Sequence, residues 1–429
     1  MMRLLTTNQI HVIEFQGHYY NCSDALVSSA TLRRAYLPHV ASVAVLARSR
    51  SGRMRDPRWP QVDGQGVTVV PLPDPACAVE ALRSIPAALG QVRRAARTCD
   101  AYCLKLPDAT AALVGLYLWF TGRPYGAEVV ADARQATVLA KGRSLGVLAA
   151  ARALDGLTRF LVRRATAVVF LSRYLQNRYP HPRPDRQWIL CSAQLTDEVM
   201  GGPRPAESFQ SGPFRILAAG RLSPEKGHIH LLEALAEVCR RTDRAVEMDL
   251  LGDGPVRADL EQACRRMGIA HRVRFHGFIQ RGPALFERMD RAHLYVLPSL
   301  TEGMGRGLIE AMARGLPCLA SAVGGVPEYL AAEALFEPGR PQAIADKILR
   351  LIDRPGRLAA MSQANFESVQ AFAPARLEPA QRAFWRAVGG SESGPASWAC
   401  GVDTRAEAGA GIEALPSASS AVGPESHVP

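Results

Sequence analysis

Two successive runs of alternating strand and helix patterns constrain this chain more than any other feature. Short apolar stretches rich in β-branched residues alternate with longer stretches of helical periodicity. The predicted strands of the first run are "HVIEF", "ASVAVLA", "GVTVVPL", "DAYCLKL", "AEVVADA" and "TAVVFLS", and those of the second run are "FRILAAG", "VEMDLLG", "VRFHGF", "LYVLP" and "PCLASA". Such alternation predicts an α/β fold in which each half is a doubly wound parallel sheet covered by helices.

A segment rich in Gly, Pro and Ser at 201–213 divides the two runs. We therefore predict an N-terminal domain over 1–200 and a second domain over 214–370, and 429 residues are enough for two separate cores. A further helix over 371–390 is expected to return toward the N-terminal domain. The remainder, 391–429, is rich in Ser, Ala, Gly and Pro and is predicted to be disordered. In such an architecture the crevice between the two domains is the expected ligand site.

Cysteine usage and apolar segments exclude several classes of protein. The nine cysteines are scattered, with no CxxC pair and no Cys/His cluster at metal-ligand spacing, so a reducing cytoplasm and no structural zinc are expected. The N-terminus lacks the long apolar run of a signal peptide, and the most apolar stretch, "ATAALVGLYLWF", is too short to span a bilayer. We expect a cytoplasmic protein with no transmembrane segment.

The net charge of +11 is concentrated in part between 121 and 180, where basic residues outnumber acidic ones. No aromatic interleaving or recognition-helix pattern accompanies this charge, so nucleic acid is not the expected partner. A solvated face and an anionic membrane surface both remain open. In the second case the protein would lie peripherally on the inner face of the plasma membrane.

The segment "SLTEGMGRGLIEAMARG" at 299–315 carries two glutamates around a glycine-rich turn. With a helix starting near Gly305, Glu302 lies on the turn after the strand and Glu310 lies more than one helical turn inside. The apolar stripe of this helix predicts that Glu310 points away from the core. Its glycines leave backbone N–H groups free at the positive end of the helix dipole, which suits a phosphate.

Carboxylates next to a phosphate site require a ligand that also donates hydrogen bonds. A sugar nucleotide meets this requirement, because ribose hydroxyls can donate to one carboxylate and sugar hydroxyls to the other. The alternative is that Glu310 pairs with Arg314 at the i,i+4 spacing while Glu302 is simply exposed.

The segment "ILAAGRLSPEKGHIHLLEAL" brings two cations to one loop. Arg221 follows the first strand of the second domain, and Lys226 lies at the start of the next helix, with Pro224 in its first turn and Ser223 as its cap. A guanidinium and an ammonium at a strand's carboxyl end suit the oxygens of a diphosphate. The alternative is that both are solvated loop cations.

Four of these segments together resemble a known family. "GRLSPEKG", "LLGDGP", "VRFHGF" and "LPSLTEGMGRGLIEAMARGLPCLASAVGGVPE", in this order, resemble the C-terminal domain of retaining nucleotide-sugar glycosyltransferases of the GT-B fold, in family four, the "glycosyl transferases group 1" set. The resemblance covers roughly 213 to 345. Upstream, "RPYGAEVVADA" and "LSRYLQNRYP" are similar to members that build bacterial surface polysaccharides. The fold implied is α/β, with two Rossmann-like domains facing a central cleft.

The resemblance implies a role for each matching residue. Arg221 and Lys226 would hold the donor diphosphate, Glu310 the ribose and Glu302 the hydroxyls of the transferred sugar. The backbone of Gly303, Met304, Gly305 and Arg306 would line the sugar and phosphate, and Gly277 and Phe278 would lie near the base. It also implies front-face substitution with retention, in which the departing diphosphate takes the acceptor's proton. The chain has no D-x-D triplet, so neither a metal nor another cofactor is expected beside the nucleotide-diphosphate sugar.

The first domain departs from the family pattern. Many members carry a Gly-Gly pair after the first strand and a histidine at the end of a middle strand. Here the first loop is "FQGHYYNCSDA", with Gly17 and His18, and the middle-strand segment "DAYCLKLPDAT" has Lys105 and Asp108 where the histidine would lie. These four residues are candidates for contact with the acceptor, a glycan or lipid-linked molecule. The alternative for Lys105 is a solvated strand end.

Other functions remain open from the sequence. A sugar phosphorylase or a nucleotide-sugar epimerase would use the same architecture. A non-catalytic donor-binding or scaffold subunit is consistent with the missing histidine. An NAD enzyme is a poor alternative, because "LLGDGPVRADL" lacks both the third glycine and the later acidic residue of a dinucleotide fingerprint.

Overall fold

The chain forms two lobes, each built on its own sheet with helices on both faces. A computed structural model describes residues 2–22, 27–52, 56, 59–75, 77–191, 193 and 195–390. The predicted disordered tail, 391–429, lies outside the described residues. The sheet of the first lobe has the strand order β4-β3-β1-β5-β6-β7-β8, with β2 paired to β1, and the sheet of the second has the order β11-β10-β9-β12-β13-β14.

The elements of the N-terminal lobe follow the predicted alternation. Its strands are β1 (Arg3–Phe15), β2 (His18–Asn21), β3 (Ser42–Ser51), β4 (Val67–Pro73), β5 (Ala101–Leu106), β6 (Gly126–Val129), β7 (Ala167–Phe170) and β8 (Gln187–Ile189). Its helices are α1 (Ser29–Tyr36), α2 (Ala78–Ala96), α3 (Ala109–Phe120), α4 (Ala133–Lys141), α5 (Leu145–Arg164) and α6 (Arg173–Arg178).

The C-terminal lobe repeats the scheme. Its strands are β9 (Phe214–Ala219), β10 (Val246–Leu251), β11 (Val273–Phe275), β12 (Leu294–Leu297), β13 (Cys318–Ser321) and β14 (Leu335–Phe336). Its helices are α7 (His228–Arg241), α8 (Arg257–Arg266), α9 (Pro283–Arg291), α10 (Arg306–Ala313), α11 (Pro341–Leu349) and α12 (Pro355–Val369), and the final helix of the described chain is α13 (Pro374–Val388).

Both sheets are doubly wound, as the sequence predicts. In each sheet the chain winds outward from the first strand in one direction and then crosses back to continue on its other side. The switch points therefore lie between β1 and β5 in the first lobe and between β9 and β12 in the second. Ligands of open α/β sheets bind outside the carboxyl ends of the strands at this point. Strands β8 and β14 were not predicted from the sequence, because segments of three and two residues are too short to show a periodic pattern.

The segment "FQGHYYNCSDA", which was expected to be the loop after the first strand, contains a β-hairpin instead. Strand β1 continues to Phe15 and turns through Gln16 and Gly17 into β2. Both turn residues have positive φ, 52° for Gln16 and 79° for Gly17, as the type I′ turn of a two-residue hairpin requires. Of the rest of that segment, residues 23–25 lie outside the described residues. The pairing of β1 with β3 is irregular between Thr7 and His11. The pairing of β1 with β5 ends just before this point, at Thr6.

Helix α13 leaves the second lobe and packs on the first. It contacts β5, β7 and β8. The ring of Phe384 meets Trp188 at a centroid distance of 5.9 Å, and Trp385 meets Tyr36 at 5.7 Å, both edge to face. Phe384 and Trp385 are 1% and 5% exposed. Burying each such side chain stabilises the fold by about 2 kcal/mol or more, so this helix is part of the N-terminal core.

Two histidines of the second lobe are buried in their neutral form. His228 opens α7 and His293 immediately precedes β12, and each is 4% exposed. Burial lowers the pKa of each to about 4, with Lys226 as a further cause for His228 and Arg244 for His293. Nδ1 of His293 accepts a hydrogen bond from the amide of Arg215 at 3.1 Å, which requires that nitrogen to be unprotonated.

We expect the free energy of unfolding to fall as the pH drops from about 6.5 toward about 4. In this window the unfolded chain protonates both imidazoles while the folded protein does not, so the unfolded state binds more protons. At about pH 5 the loss is on the order of 2 kcal/mol for each histidine. Urea unfolding followed by circular dichroism at about pH 7 and about pH 5 measures it. The variant His293→Leu should lose roughly half of the pH dependence; equal stability of the parent at both pH values would contradict this account.

Candidate functional site

The two motifs meet at the switch point of the second sheet. Strand β9 ends at Ala219 and leads into the loop of Arg221 and Lys226. Its neighbour β12 ends at Leu297 and leads into the turn that contains Glu302. Since the carboxyl ends of adjacent parallel strands share one edge, residues about 80 positions apart in sequence become neighbours.

Lys226 and Glu302 form an ion pair at this edge. Nζ of Lys226 lies 2.5 Å from Oε1 of Glu302, and the hydroxyl of Ser299 donates to the same oxygen at 2.7 Å. The two charged side chains are 27% and 9% exposed. Partly buried charges are screened less by salt than surface charges, so the attraction within this pair persists at physiological ionic strength.

The loop that carries Lys226 differs locally from the prediction. Pro224–Lys226 form a single 3₁₀ turn, and Ser223 does not cap it, because its hydroxyl donates to Oε1 of Glu225 at 2.5 Å. Gly227 has a φ of 64°, and a Cβ there would lie 2.2 Å from the carbonyl oxygen of Pro298. Only glycine allows this approach, which draws the Lys226 loop against the Glu302 turn.

Glu310 is held by a cation that the sequence did not indicate. Nε of Arg281, on the loop between β11 and α9, lies 2.7 Å from Oε1 of Glu310. Glu310 is 9% exposed, so its carboxylate is covered and not open to solvent. The expectation that it points away from the apolar core stays a prediction. The alternative pairing with Arg314 is not formed, since Arg314 pairs with Asp290 at 2.5 Å.

The glycine turn between the two glutamates touches the other lobe. A Cβ on Gly303 would lie 2.1 Å from the carbonyl oxygen of Val130, which follows β6 in the N-terminal lobe. Met304 is 4% exposed, and its carbonyl accepts a hydrogen bond from the hydroxyl of Tyr329. Gly305 has a φ of 75° and directly precedes α10. The turn therefore presents backbone, not side chains, to the space between the lobes.

Two further contacts join the lobes next to this turn. Glu328, from the "GGVPE" segment, accepts hydrogen bonds from the amides of Arg173 and Tyr174 at 2.8 and 2.7 Å, at the start of α6. A carboxylate at a helix N-terminus is also favoured by the helix dipole. The hydroxyl of Thr301 donates to Oε1 of Gln135 on α4 at 3.0 Å. Neither contact was predicted from the sequence.

The remaining donor-side candidates surround the same edge. Arg221 is exposed on the loop after β9, and Arg306 is the exposed first residue of α10. Gly277, with a φ of 68°, follows β11, and its carbonyl accepts from the amide of Gly252 at 2.8 Å. Phe278 is 43% exposed. The structure places Arg221, Gly277 and Phe278 on loops of the second lobe and Arg306 at the start of α10, and their roles stay predictions.

Of the acceptor-side candidates, Lys105 and Asp108 both have charged partners. Nζ of Lys105 lies 3.7 Å from Oε2 of Glu128, so the solvated alternative does not describe it. Asp108 caps α3 through the amide of Ala111 at 3.1 Å, and its other oxygen lies 3.5 Å from Nη2 of Arg48. Asp108 thus has a structural role as the N-cap of α3, in addition to any contact with a ligand.

Gly17 and His18 lie apart from these two, at the turn of the β1–β2 hairpin. His18 is half exposed, and its Nδ1 lies 2.8 Å from Oδ2 of Asp63, also in the N-terminal lobe. The switch point of the first sheet instead holds a small cavity of about 60 Å³. It is lined by Asn8, Ile10, His11, Arg48 and Asp108. Only Asp108 among these was a candidate from sequence.

The loop glycines of "LLGDGP" have a structural explanation. A Cβ on Gly252 would lie 1.8 Å from the carbonyl oxygen of Gly220, and one on Gly254 would lie 2.3 Å from that of Leu222. Both glycines allow the loop after β10 to pack on the loop after β9. They need no bound dinucleotide to account for them.

The chemistry available at the edge of the second sheet is mixed. Lys226 and Arg221 offer positive charge, the glycine turn offers amides, and Glu302 and Glu310 offer hydrogen-bond acceptors. Among the residues that the structure describes, no group of three or more His, Cys, Asp or Glu side chains is arranged to hold a metal ion. The arrangement can bind a molecule that carries both phosphates and hydroxyl groups.

Comparison with known protein sequences gives partial matches. The family model described as "Glycosyl transferases group 1" matches residues 204–368. An alpha-D-kanosaminyltransferase of Streptomyces kanamyceticus is 31% identical over 210 residues, 46% of this chain and 54% of that protein. Protein CapJ of Staphylococcus aureus is 26% identical over 245 residues, 56% of this chain and 59% of that protein. The chain thus spans about half the length of the curated relatives it matches.

Solved structures match nearly the whole described chain. HepE of Anabaena, in complex with UDP and glucose, aligns with a TM-score of 0.63 at 20% identity, covering 89% of this chain and 99% of that one. Sucrose-phosphate synthase of Thermosynechococcus elongatus aligns with a TM-score of 0.64 at 18% identity, covering 89% and 98%. At this identity the likeness establishes the arrangement of the two lobes as the GT-B fold. Residues 204–368 therefore match the glycosyl transferases group 1 family, within a chain that has the GT-B fold.

Proposed function

We propose that this protein is a retaining glycosyltransferase that moves a sugar from a nucleotide-diphosphate sugar to a glycan or lipid-linked acceptor. One observation carries the proposal: the Lys226–Glu302 pair and the Glu310 carboxylate lie around one glycine turn, and that turn faces the other lobe at Val130. A donor seated there has its sugar at the boundary between the lobes. An acceptor bound to the N-terminal lobe would then meet it.

The proposed roles follow the chemistry of each group. Lys226 and Arg221 bind the diphosphate, Glu310 accepts from the ribose hydroxyls, and Glu302 accepts from the hydroxyls of the sugar. Amides of Gly303, Met304, Gly305 and Arg306 line the sugar and phosphate, and Gly277 and Phe278 lie beside the base. Lys105 and Asp108 stand on the acceptor side.

In the proposed reaction the bond between the sugar's anomeric carbon and the diphosphate breaks as the acceptor oxygen bonds to the same face of that carbon. The acceptor's proton passes to the departing diphosphate oxygen. Lys226 and Arg221 stabilise the negative charge that grows on the diphosphate, so the proposed transfer needs no metal ion. The configuration at the anomeric carbon is retained.

The proposed setting is the synthesis of exopolysaccharide, capsule or lipopolysaccharide in the cytoplasm, at the inner membrane face. Names of relatives support this setting: one is an amylovoran biosynthesis glycosyltransferase of Erwinia amylovora, 32% identical over 148 residues. HepE was solved with UDP-glucose, which makes that molecule the first donor to try.

The test begins with thermal shifts against UDP-, GDP- and ADP-sugars, because a ligand that binds the native state raises its melting temperature. The donor that binds is then incubated with extracted acceptor lipids and glycans, with and without a metal chelator. We expect nucleotide diphosphate to be released only when acceptor is present, and NMR to show an unchanged anomeric configuration. Donor binding without turnover over every acceptor pool would favour a scaffold subunit instead, and release without acceptor would favour an epimerase or hydrolytic activity.

The variant Gly303→Ala tests the contact between the lobes. Its methyl group would clash with the Val130 carbonyl at 2.1 Å, so the turn must withdraw from the N-terminal lobe. A displacement of about 1 Å at the reacting atoms lowers turnover by about a hundredfold. We expect this loss of kcat with a melting temperature near that of the parent. The matched control is Gly356→Ala on α12, where no atom lies within 4 Å of the added Cβ; wild-type kcat for Gly303→Ala would show that the contact does not matter.

A further inference from the structure

Exposed hydrophobic side chains are concentrated on one part of the N-terminal lobe. Among the described residues, every large exposed hydrophobic side chain except Phe278 lies on α2, at the end of α3 or at the start of α5. Three are prominent: Leu82 is 69% exposed, Phe120 is 76% exposed and Leu145 is 86% exposed. Scattered apolar residues on a surface need no explanation, but a concentration on adjoining helices does.

These three helices form one continuous layer. Helix α3 contacts α2 on one side and α5 on the other. The ring of Trp119 on α3 meets Phe160 on α5 edge to face at 5.0 Å. All three helices bury their inner sides in the same core, through Val92, Val114 and Leu161. Their outer sides therefore make a single surface, which we call the three-helix face.

The middle helix of this face is apolar on its outer side as well as its inner side. Helix α3 has the sequence ATAALVGLYLWF, with Ala111, Val114 and Leu118 buried in the core. Its outer side carries half-buried leucines and ends at the exposed Phe120. An ordinary surface helix is polar on that side. No helix in the described part of the chain is both long enough and apolar enough to cross a bilayer.

Arginines flank this apolar helix on both sides. The exposed positions of α2 are apolar at Val79, Leu82 and Ile85, with Glu80 and Arg83 among them, and basic further on. The exposed arginines of the face are Arg83, Arg93 and Arg94 on α2, Arg97 directly after it, and Arg152, Arg163 and Arg164 on α5. Within the described residues none of these seven has an ion-pair partner, whereas Asp155, the one acidic residue of α5, is bound by Arg159 and Arg178. The face therefore carries a large excess of positive charge.

We propose that the three-helix face binds the surface of an anionic lipid bilayer. Phe120, Leu82 and Leu145 would enter the boundary between headgroups and acyl chains, while the arginines extend to the lipid phosphates. A bilayer offers both groups a partner, because its phosphates attract the basic side chains and its acyl chains surround the apolar ones. A nucleic acid would leave the apolar side chains without partners. Binding of this kind is independent of the proposed sugar transfer.

The orientation that results is useful for a lipid-linked acceptor. Helices α2 and α3 begin at the carboxyl ends of β4 and β5, at the edge of the first sheet where Asp108 caps α3. That edge holds the small cavity at the switch point. A bilayer on the three-helix face would thus border the same edge, and an acceptor anchored in it would have a short path to the space between the lobes.

Co-sedimentation with vesicles tests the charge part of the proposal. We expect the full chain to bind vesicles of phosphatidylcholine and phosphatidylglycerol, to bind pure phosphatidylcholine far more weakly, and to be released by added salt. The triple variant Arg93→Gln, Arg94→Gln, Arg97→Gln should lower the partition coefficient by about a hundredfold. The matched control is Arg350→Gln, Arg354→Gln, Arg357→Gln, three exposed arginines of the other lobe, which should bind as the parent does. Equal loss in both triple variants would overturn the proposal, as would equal binding to both kinds of vesicle.

The apolar part is tested by the double variant Leu82→Ser, Phe120→Ser. Both side chains are mostly exposed, so the fold should keep its melting temperature while binding to the mixed vesicles falls by about a hundredfold. Nucleotide-sugar binding should be unchanged in the same sample, which separates this result from a failure of the proposed function. Sedimentation equilibrium without lipid supplies the opposing outcome: a dimer that the double variant abolishes would assign the face to a second copy of the chain and overturn the proposal.

Discussion

Replacing Lys226 by alanine is expected to lower kcat by about a hundredfold to a thousandfold, the effect of losing one charged donor at a developing negative charge. The ammonium lies 2.5 Å from Glu302, at the edge of the second sheet, where the diphosphate is proposed to bind. Its charge matters most as the leaving group gains charge, so turnover should fall more than donor affinity. The measurement is steady-state kcat and KM with the donor identified by thermal shift.

The matched control for this variant is Lys347→Ala. Lys347 lies on α11, where its ammonium donates to the carbonyl of Glu333, outside the proposed site. We expect wild-type kcat for this control. Lys226→Arg keeps the charge but not the compact shape, and intermediate activity is expected. If Lys226→Ala retains the parent's kcat, Lys226 has no part in the reaction.

The second large effect is expected for Glu310→Gln. The amide keeps the size of the side chain but loses the charge that the ribose hydroxyls are proposed to recognise. A hydrogen bond to a charged group contributes about 1.5–3 kcal/mol, so donor Kd should rise by about tenfold to a hundredfold for each bond lost. Calorimetry with the nucleotide sugar measures the change, and Glu287→Gln, an exposed carboxylate on α9, is the control.

A deoxyribose analogue of the donor separates the ribose role from a structural one. The parent should bind the analogue more weakly than the ribose form, whereas Glu310→Gln should bind the two more nearly alike, because the partner of the missing hydroxyl is already gone. Arg281→Gln leaves the carboxylate without the cation that orients it at 2.7 Å, and it should weaken both ligands. An equal penalty for the missing hydroxyl in the parent and in Glu310→Gln would exclude the ribose contact.

Much of this architecture was predictable because it depends on local patterns. Period-two and period-3.6 stretches alternate in both halves, and this alternation alone leads to two doubly wound sheets. The position of the candidate site follows as well: Arg221, Lys226 and Glu302 each lie in the connection that follows one of the two strands flanking a switch point. Loops that follow neighbouring parallel strands must meet at one edge.

What the sequence did not reveal depends on contacts between distant segments. Arg281 meets Glu310 across 29 positions, and Glu328 reaches helix α6 across 154 and 155 positions of chain. No periodicity records such distances. The "FQGHYYNCSDA" segment was misassigned for a different reason. Type I′ hairpin turns usually have Asn-Gly or Asp-Gly at their centre, and here the first of these residues is Gln16, which seldom adopts a positive φ.

Helix α13 has a consequence for how the protein is made. The N-terminal lobe emerges from the ribosome first, and domains generally fold in the order of their synthesis. Yet Trp188 and Tyr36 find their aromatic partners only on the last described helix, at Phe384 and Trp385. Until translation has passed those residues, an apolar surface of the first lobe stays uncovered. The lobe that begins folding first is therefore completed last, and during that interval its uncovered apolar surface is prone to aggregation.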